Sequence, residues 1–156
     1  MEIKNTAEKY YGYCFKLLLI LAVATAAIFA VPLLAAYFTG EMDAEEMTFV
    51  CWVLGATLGL CFVIPTVYYL VQFLYYRKVE LTDVQEALLS GTSTGHSRAI
   101  GFRAEIEVDG VTRSIITKRV FSADRMSPTK LDDYAGKVKR IGYNRDRDEF
   151  IVLADE

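Results

Sequence analysis

The second half of this chain contains no cysteine and a single histidine, His96. Cysteine-based zinc ligation and structural disulfides are therefore excluded there, and with them the usual staples of a small exported domain. The chain's cysteines, Cys14, Cys51 and Cys61, all lie in its first half. Charge is the other scarcity. No Asp, Glu, Lys or Arg occurs from Leu17 to Phe38, and none from Met47 to Tyr76. Each run exceeds the roughly 20 apolar residues that a helix needs to cross about 30 Å of hydrocarbon. The expectation is a transmembrane hairpin within residues 1–76, with spans at about 17–38 and 49–76, followed by a soluble domain at 79–156. A cleaved signal peptide fits the first run poorly, because its apolar region is too long and its charged leader too extended.

The link between the runs lacks cations. "GEMDAEE" carries Glu41, Asp43, Glu45 and Glu46, whereas Lys4, Lys9 and Lys16 precede the first run and Arg77 and Lys78 follow the second. Lys and Arg near membrane ends stay in the cytoplasm. The predicted topology is multi-pass in the plasma membrane, with both termini cytoplasmic and the acidic link outside. Arg77 and Lys78 would then meet anionic headgroups, at about 1 kcal/mol each. Tyr10, Tyr11, Tyr13, Tyr75 and Tyr76 would share the inner interface, and Tyr37, Phe38, Phe49 and Trp52 the outer one.

Neither run holds an ionisable side chain, and Gln72 is the one strongly polar group. An ion or proton path usually needs more, so the spans read as an anchor. Ala22, Ala26 and Ala30 form a ridge of small residues on the first span, and Gly55 and Gly59 form one on the second. Such ridges let helix backbones approach closely. They are expected to face each other within the monomer; the alternative is that one of them forms a homo-oligomer. Pro32 and Pro65 each remove a helical hydrogen bond and should bend their spans.

From residue 77 onward cations and anions balance, so no net field favours nucleic acid, and none is expected as a partner. In "AIGFRAEIEVDG" the residues Phe102, Ala104, Ile106 and Val108 alternate with charged ones, the pattern of a half-buried strand. Asp109 and Gly110 supply a tight hairpin turn. Ile116 and Val120 break the phase of the return strand, which points to a bulge or a strand covered on both faces. "SPTKLDDYAGK" predicts a short helix capped by Ser127, started by Pro128 and ended by Gly136. "KVKRIGY" and "EFIVL" read as two further strands, with a bulge near Lys139 and Arg140. "VELTDVQEALLSG" fits a strand entering the domain, or a helix with Thr82 and Gln85 as a capping box; the strand is preferred because a lone hairpin cannot bury its face. "GTSTGHSRAIG" reads as a loop. The expected sum is a mainly-β domain of about five strands and one short helix, an SH3- or OB-like barrel.

Three short motifs, "VDG" at 108–110, "YAGK" at 134–137 and "GYN" at 142–144, resemble a loose group of bacterial membrane proteins with two helices and a small cytosolic β-domain. The resemblance implies an architecture and brings no activity, cofactor or site residue with it.

Catalytic chemistry is poorly represented, and neither an enzyme nor a cofactor is expected. Ser93 and Ser97 flank His96, but a loop of small polar residues explains them equally well. "GTSTGHS" lacks the Gly-Lys-Ser/Thr ending of a phosphate loop. Asp146, Asp148 and Glu149 are interleaved with Arg145 and Arg147, as at a solvated hairpin tip rather than a metal site. Two functions remain. The first is a membrane-anchored module binding a protein partner at the inner leaflet. The second is a sensor of a small ligand, such as a nucleotide, that signals by assembling its hairpins. Candidate surface residues for either are Arg103, Arg113, Arg119, Lys139 and Tyr143.

Overall fold

The computed structural model of the chain describes residues 5–94, 99–108 and 110–154. It divides into two compact units, one of Met1–Tyr13 with Gln72–Glu156, the other of Cys14–Val71. Two helical stretches, Thr6–Phe38 and Ala44–Lys78, are each long and apolar enough to cross a membrane. The first is one helix, α1, of 33 residues, or about 50 Å at 1.5 Å per residue, with Pro32 inside it. Both stretches begin earlier than their uncharged cores.

The second stretch is composite: α2 (Ala44–Leu58), a π-helical turn (Gly59–Val63) and α3 (Ile64–Lys78). Its start explains the acidic link. Asp43 accepts hydrogen bonds from the backbone N–H groups of Glu45 and Glu46 at 2.9 and 2.8 Å, while Glu46 accepts from the Asp43 N–H. These carboxylates satisfy otherwise orphaned donors at the positive end of a helix. The π turn sits where Pro65 demands it. Pro65 has no N–H for the carbonyl of Cys61, and its ring crowds that carbonyl, so the helix widens just before the proline.

Within the Cys14–Val71 unit the two ridges of small residues do not meet. A Cβ added at Gly55 or Gly59 would have nothing within 4 Å. Ala26 and Ala30 instead line a shallow apolar groove with Leu33, Cys51, Leu54 and Leu58. The groove side of α2 carries Cys51, Leu54 and Leu58, whereas Gly55 and Gly59 face open space.

The β-domain has six strands in two antiparallel sheets: β1 (Thr82–Leu88), β5 (Val138–Asn144) and β6 (Glu149–Val152) in the order β1-β5-β6, and β2 (Ser90–Thr94), β3 (Ile100–Val108) and β4 (Val111–Ile116) in the order β2-β3-β4. The extra strand arises because residues 82–94 are extended but bend at Leu89. That residue still bonds the Lys137 carbonyl, while Ser90 already pairs with Arg103 in the other sheet. Part of the expected Gly/Ser loop is therefore β2; His96 and Ser97 lie outside the described residues. The strand reading of this segment holds over the helical one.

Phe102, Ala104 and Ile106 point inward as their alternation predicts, joining Leu89, Val120, Phe121, Ile141 and Ile151 in the core. Phe102, Phe121 and Tyr134 form a chain of ring contacts with centroids 4.7 and 4.9 Å apart. Gly110, at φ +75°, begins the return, and the pairing of β3 with β4 is regular from Val108 to Ile116. The phase break at Ile116 is thus the end of β4, not a bulge. The real irregularity of the other sheet lies between Thr82 and Gln85 of β1, with Asp83 at φ +49°, and not at Lys139 and Arg140. Val138 is simply an exposed apolar residue. The short helix α4 is Leu131–Tyr134, later than expected: Ser127 makes no helix cap, and its hydroxyl bonds Thr129.

Among the described residues the sheets do not close into a barrel. Beyond β4, Thr117 bridges Phe150, and the Lys118 N–H bonds the Phe150 carbonyl at 2.7 Å. That contact pins one end of the seam between β4 and β6. Above it the seam stays open.

Candidate functional site

The open seam forms a groove of about 380 Å³, lined by Asp83, Glu107, Arg113, Ile115, Tyr143, Arg145, Asp148 and Phe150. β4, an edge strand, provides Arg113 and Ile115; the opposite wall comes from the β5–β6 hairpin. Tyr143 and Phe150 are cross-strand partners with ring centroids 4.9 Å apart, and form an aromatic floor. The Tyr143 hydroxyl donates to Asp148 Oδ1 at 2.7 Å. That bond to a carboxylate, followed by burial, raises the phenol above its usual pKa, so it remains a donor at neutral pH. Arg145 lies 3.8 Å from Asp83 with both side chains largely exposed, a pair of little energetic weight. Arg113 is exposed and has no ion pair among the described residues.

The back of the same hairpin is occupied differently. Asn144 and Glu149, also cross-strand partners, turn away from the groove toward residues 72–76 of α3. Tyr76 is fully buried and donates its hydroxyl to Glu149 Oε1 at 2.6 Å. Glu149 Oε2 takes a 2.6 Å ion pair from Lys118, and Asn144 bonds both Tyr75 and Glu149. Arg147 lies over the Tyr75 ring at 3.7 Å and donates to Gln72 Oε1 at 2.6 Å and to the Tyr76 hydroxyl at 3.2 Å. Guanidinium stacking of this kind adds to the hydrogen bonds. The start of α1 joins in: Asn5 donates to the Tyr76 carbonyl, Thr6 to the Val152 carbonyl, and Tyr11 stacks on Tyr76 at 5.2 Å. Tyr11 and Tyr76 are thus packed inside the unit rather than in an interfacial belt.

Of the candidates read from the sequence, Arg113 and Tyr143 come together in the groove. Arg103 lies on the outer face of β3 near Gly91, Arg119 beside Gly101, and Lys139 over the Tyr134 ring at 5.5 Å. They share no site with the first two. Arg77 and Lys78 occupy the exposed last turn of α3, where cations also suit the negative helix end. Asp148 and Glu149 face opposite ways and cannot converge on one cation. Sequence reasoning missed Arg147, Asn144 and Glu149, which looked like a solvated tip. The signal was Gln72: a lone amide in an apolar run needs a polar partner, and Arg147 is that partner. Comparison of the chain with protein-family models, with curated proteins and with solved structures gives no match.

Proposed function

We propose that the chain is a membrane-anchored interaction module of the inner leaflet of the plasma membrane, which binds an extended segment of a protein partner in the open seam between β4 and β6. The observation that carries this reading is the edge strand itself. β4 pairs on one side only, and its Arg113 and Ile115 line a groove floored by Tyr143 and Phe150. Extended peptides add to such edges through main-chain hydrogen bonds, with flanking pockets choosing side chains. Arg113, without an ion pair among the described residues, would give one acidic side chain of the partner a local contact, while the three carboxylates of the lining disfavour a strongly anionic segment. The reading assigns binding rather than catalysis, and it needs no cofactor.

Orientation rests on the Lys/Arg asymmetry of the flanks, which favours a cytoplasmic domain. Met126→Cys, at a highly exposed position of the domain, and Glu41→Cys, in the link, should divide an impermeant thiol reagent in intact cells of a cysteine-free background. Labelling at 41 alone is expected; labelling at 126 without lysis would place the domain outside. For the groove, a photo-crosslinking side chain at Ile115 should yield one discrete protein adduct in native membranes, lost in Arg113→Glu. Absence of an adduct, or one indifferent to Arg113, would remove the seam as the docking site.

A second reading, a ligand sensor signalling through hairpin assembly, draws on the open Gly55 and Gly59 face, which leaves a close-approach surface free for another copy. The groove counts against a nucleotide as its ligand. Two guanidinium groups face three carboxylates there, and Arg145 is already beside Asp83.

A further inference from the structure

The geometry points to the β5–β6 hairpin as a two-faced lever, through which occupancy of the groove and the packing of residues 72–76 at the end of α3 control one another. This inference rests on the groove being a docking site and assigns it a regulated connection to the membrane anchor. Residues of the hairpin divide between two sets of partners. Tyr143, Arg145, Asp148 and Phe150 line the groove. Asn144, Arg147 and Glu149 hold Gln72, Tyr75 and Tyr76. At the paired ends, 143–144 and 149–150, neighbouring side chains leave on opposite faces as strand geometry requires, and residues 145–148 form the turn that joins them, so a shift of the hairpin backbone moves both sets together.

The pairs fall in register with this division. Tyr143 opposes Phe150 on the groove face, and Asn144 opposes Glu149 on the helix face. Both non-glycine residues with positive φ among those described, Asp83 and Asp148 at +49° each, line the groove. Asp148 joins the faces directly: it accepts the Tyr143 hydroxyl while standing between Arg147 and Glu149. A segment that enters the seam and competes for Tyr143 or Arg145 therefore loosens the conformation that aims Arg147 over Tyr75. Conversely, a change in the tilt or rotation of the α3 end that withdraws Gln72 frees the tip and alters the groove. Linkage makes the two effects reciprocal.

The test uses the full chain in lipid nanodiscs and needs no partner. Amide hydrogen exchange of residues 72–78 is measured in Tyr143→Phe and Asp148→Asn. Thiol labelling of Ile115→Cys, with the native cysteines replaced, is measured alone and with Arg147→Lys or Arg147→Ala. Arg125→Ala, exposed and belonging to neither set of residues, is the control. Variants on the groove face should speed exchange at 72–78, and variants at Arg147 should change labelling at 115, each by about fivefold or more, the lower end of typical coupling. The lysine variant keeps the charge but not the planar stack, so an effect in it survives any failure of the alanine variant to fold. Effects confined to the mutated face, or matched by the control, would overturn the lever. Such a result leaves the Ile115 photo-crosslink unaffected, so loss of the lever and loss of the docking site are told apart.

Discussion

Two pairs of glycines in this molecule have opposite surroundings. At Gly55 and Gly59 of the second span, an added Cβ would meet nothing within 4 Å. At Gly101 it would fall 2.5 Å from the Thr117 carbonyl oxygen, and at Gly142 it would fall 2.7 Å from Leu81 Cβ. The first pair is open surface; at the second, the Thr117 backbone and the Leu81 side chain leave no room for a Cβ. The contrast extends to the units that contain them. In the Cys14–Val71 unit the apolar side chains stay exposed, as suits a lipid solvent. In the other unit even Asn5, Thr6 and Asn144 are buried, and every one of them is hydrogen bonded. Small residues and polar residues thus carry different meanings on the two sides of one chain.

The largest effect should come from cutting the β-domain away from its helix ends. Residues 79–156 expressed alone lose Tyr76, Tyr11 and Ala7, all buried in the intact unit, and expose β6 from its Val152 and Leu153 side. Burial of large side chains contributes about 1.5–3 kcal/mol each, so the fragment forfeits several kcal/mol. Hydrogen exchange should find β3 protected and residues 149–153 unprotected. Equal protection of both segments in fragment and full chain would mean that the helix ends are mere passengers.

Next in size is the core itself. Ile106, 2% exposed, should lose roughly 2–5 kcal/mol on replacement by Ala, while Val138→Ala, at a 59% exposed site, should cost little. Gly101→Ala should follow at about 1–3 kcal/mol, because the clashing atom is a backbone oxygen that cannot swing away. Chemical denaturation of the full chain in mild detergent measures all three. A neutral Gly101→Ala would show that the start of β3 has slack which the close approach denies.

The sequence revealed the uncharged spans, the inward phase of β3 and the hairpin at Gly110, because each is a local pattern in consecutive residues. It revealed the strand character of 82–88 only by elimination. What it hid depends on contacts between distant segments. The bend at Leu89 that makes six strands of five is set by competing partners, Lys137 on one side and Arg103 on the other. The open seam follows from β4 ending at Ile116 before it can pair along β6. Arg147 and Gln72 are 75 positions apart, and neither carries a mark naming the other. Arg113 and Tyr143 were identifiable as surface candidates, but their meeting in one groove was not. Arg103 and Arg119 looked equivalent to Arg113 in sequence and differ from it only in where their strands lie.

The smallest expected effect returns to the first comparison. Replacing both Gly55 and Gly59 with Ile fills open space in the Cys14–Val71 unit, so the monomer should keep its stability and its yield in lipid. Ile is tolerated well in a lipid-facing helix, where no water penalises the added apolar surface. The anticipated packing against Ala22, Ala26 and Ala30 would have given the opposite result, a loosened hairpin. Oligomeric state is the sharper readout. If a second copy uses this face, the bulk of two Ile side chains holds the backbones apart and the crosslinked dimer disappears, while the monomer stays folded. If the face meets only lipid, wild type and variant crosslink alike. A fall in folded yield without any change in crosslinking would show instead that these glycines serve the inside of the hairpin, and the contrast between the two glycine pairs would fail.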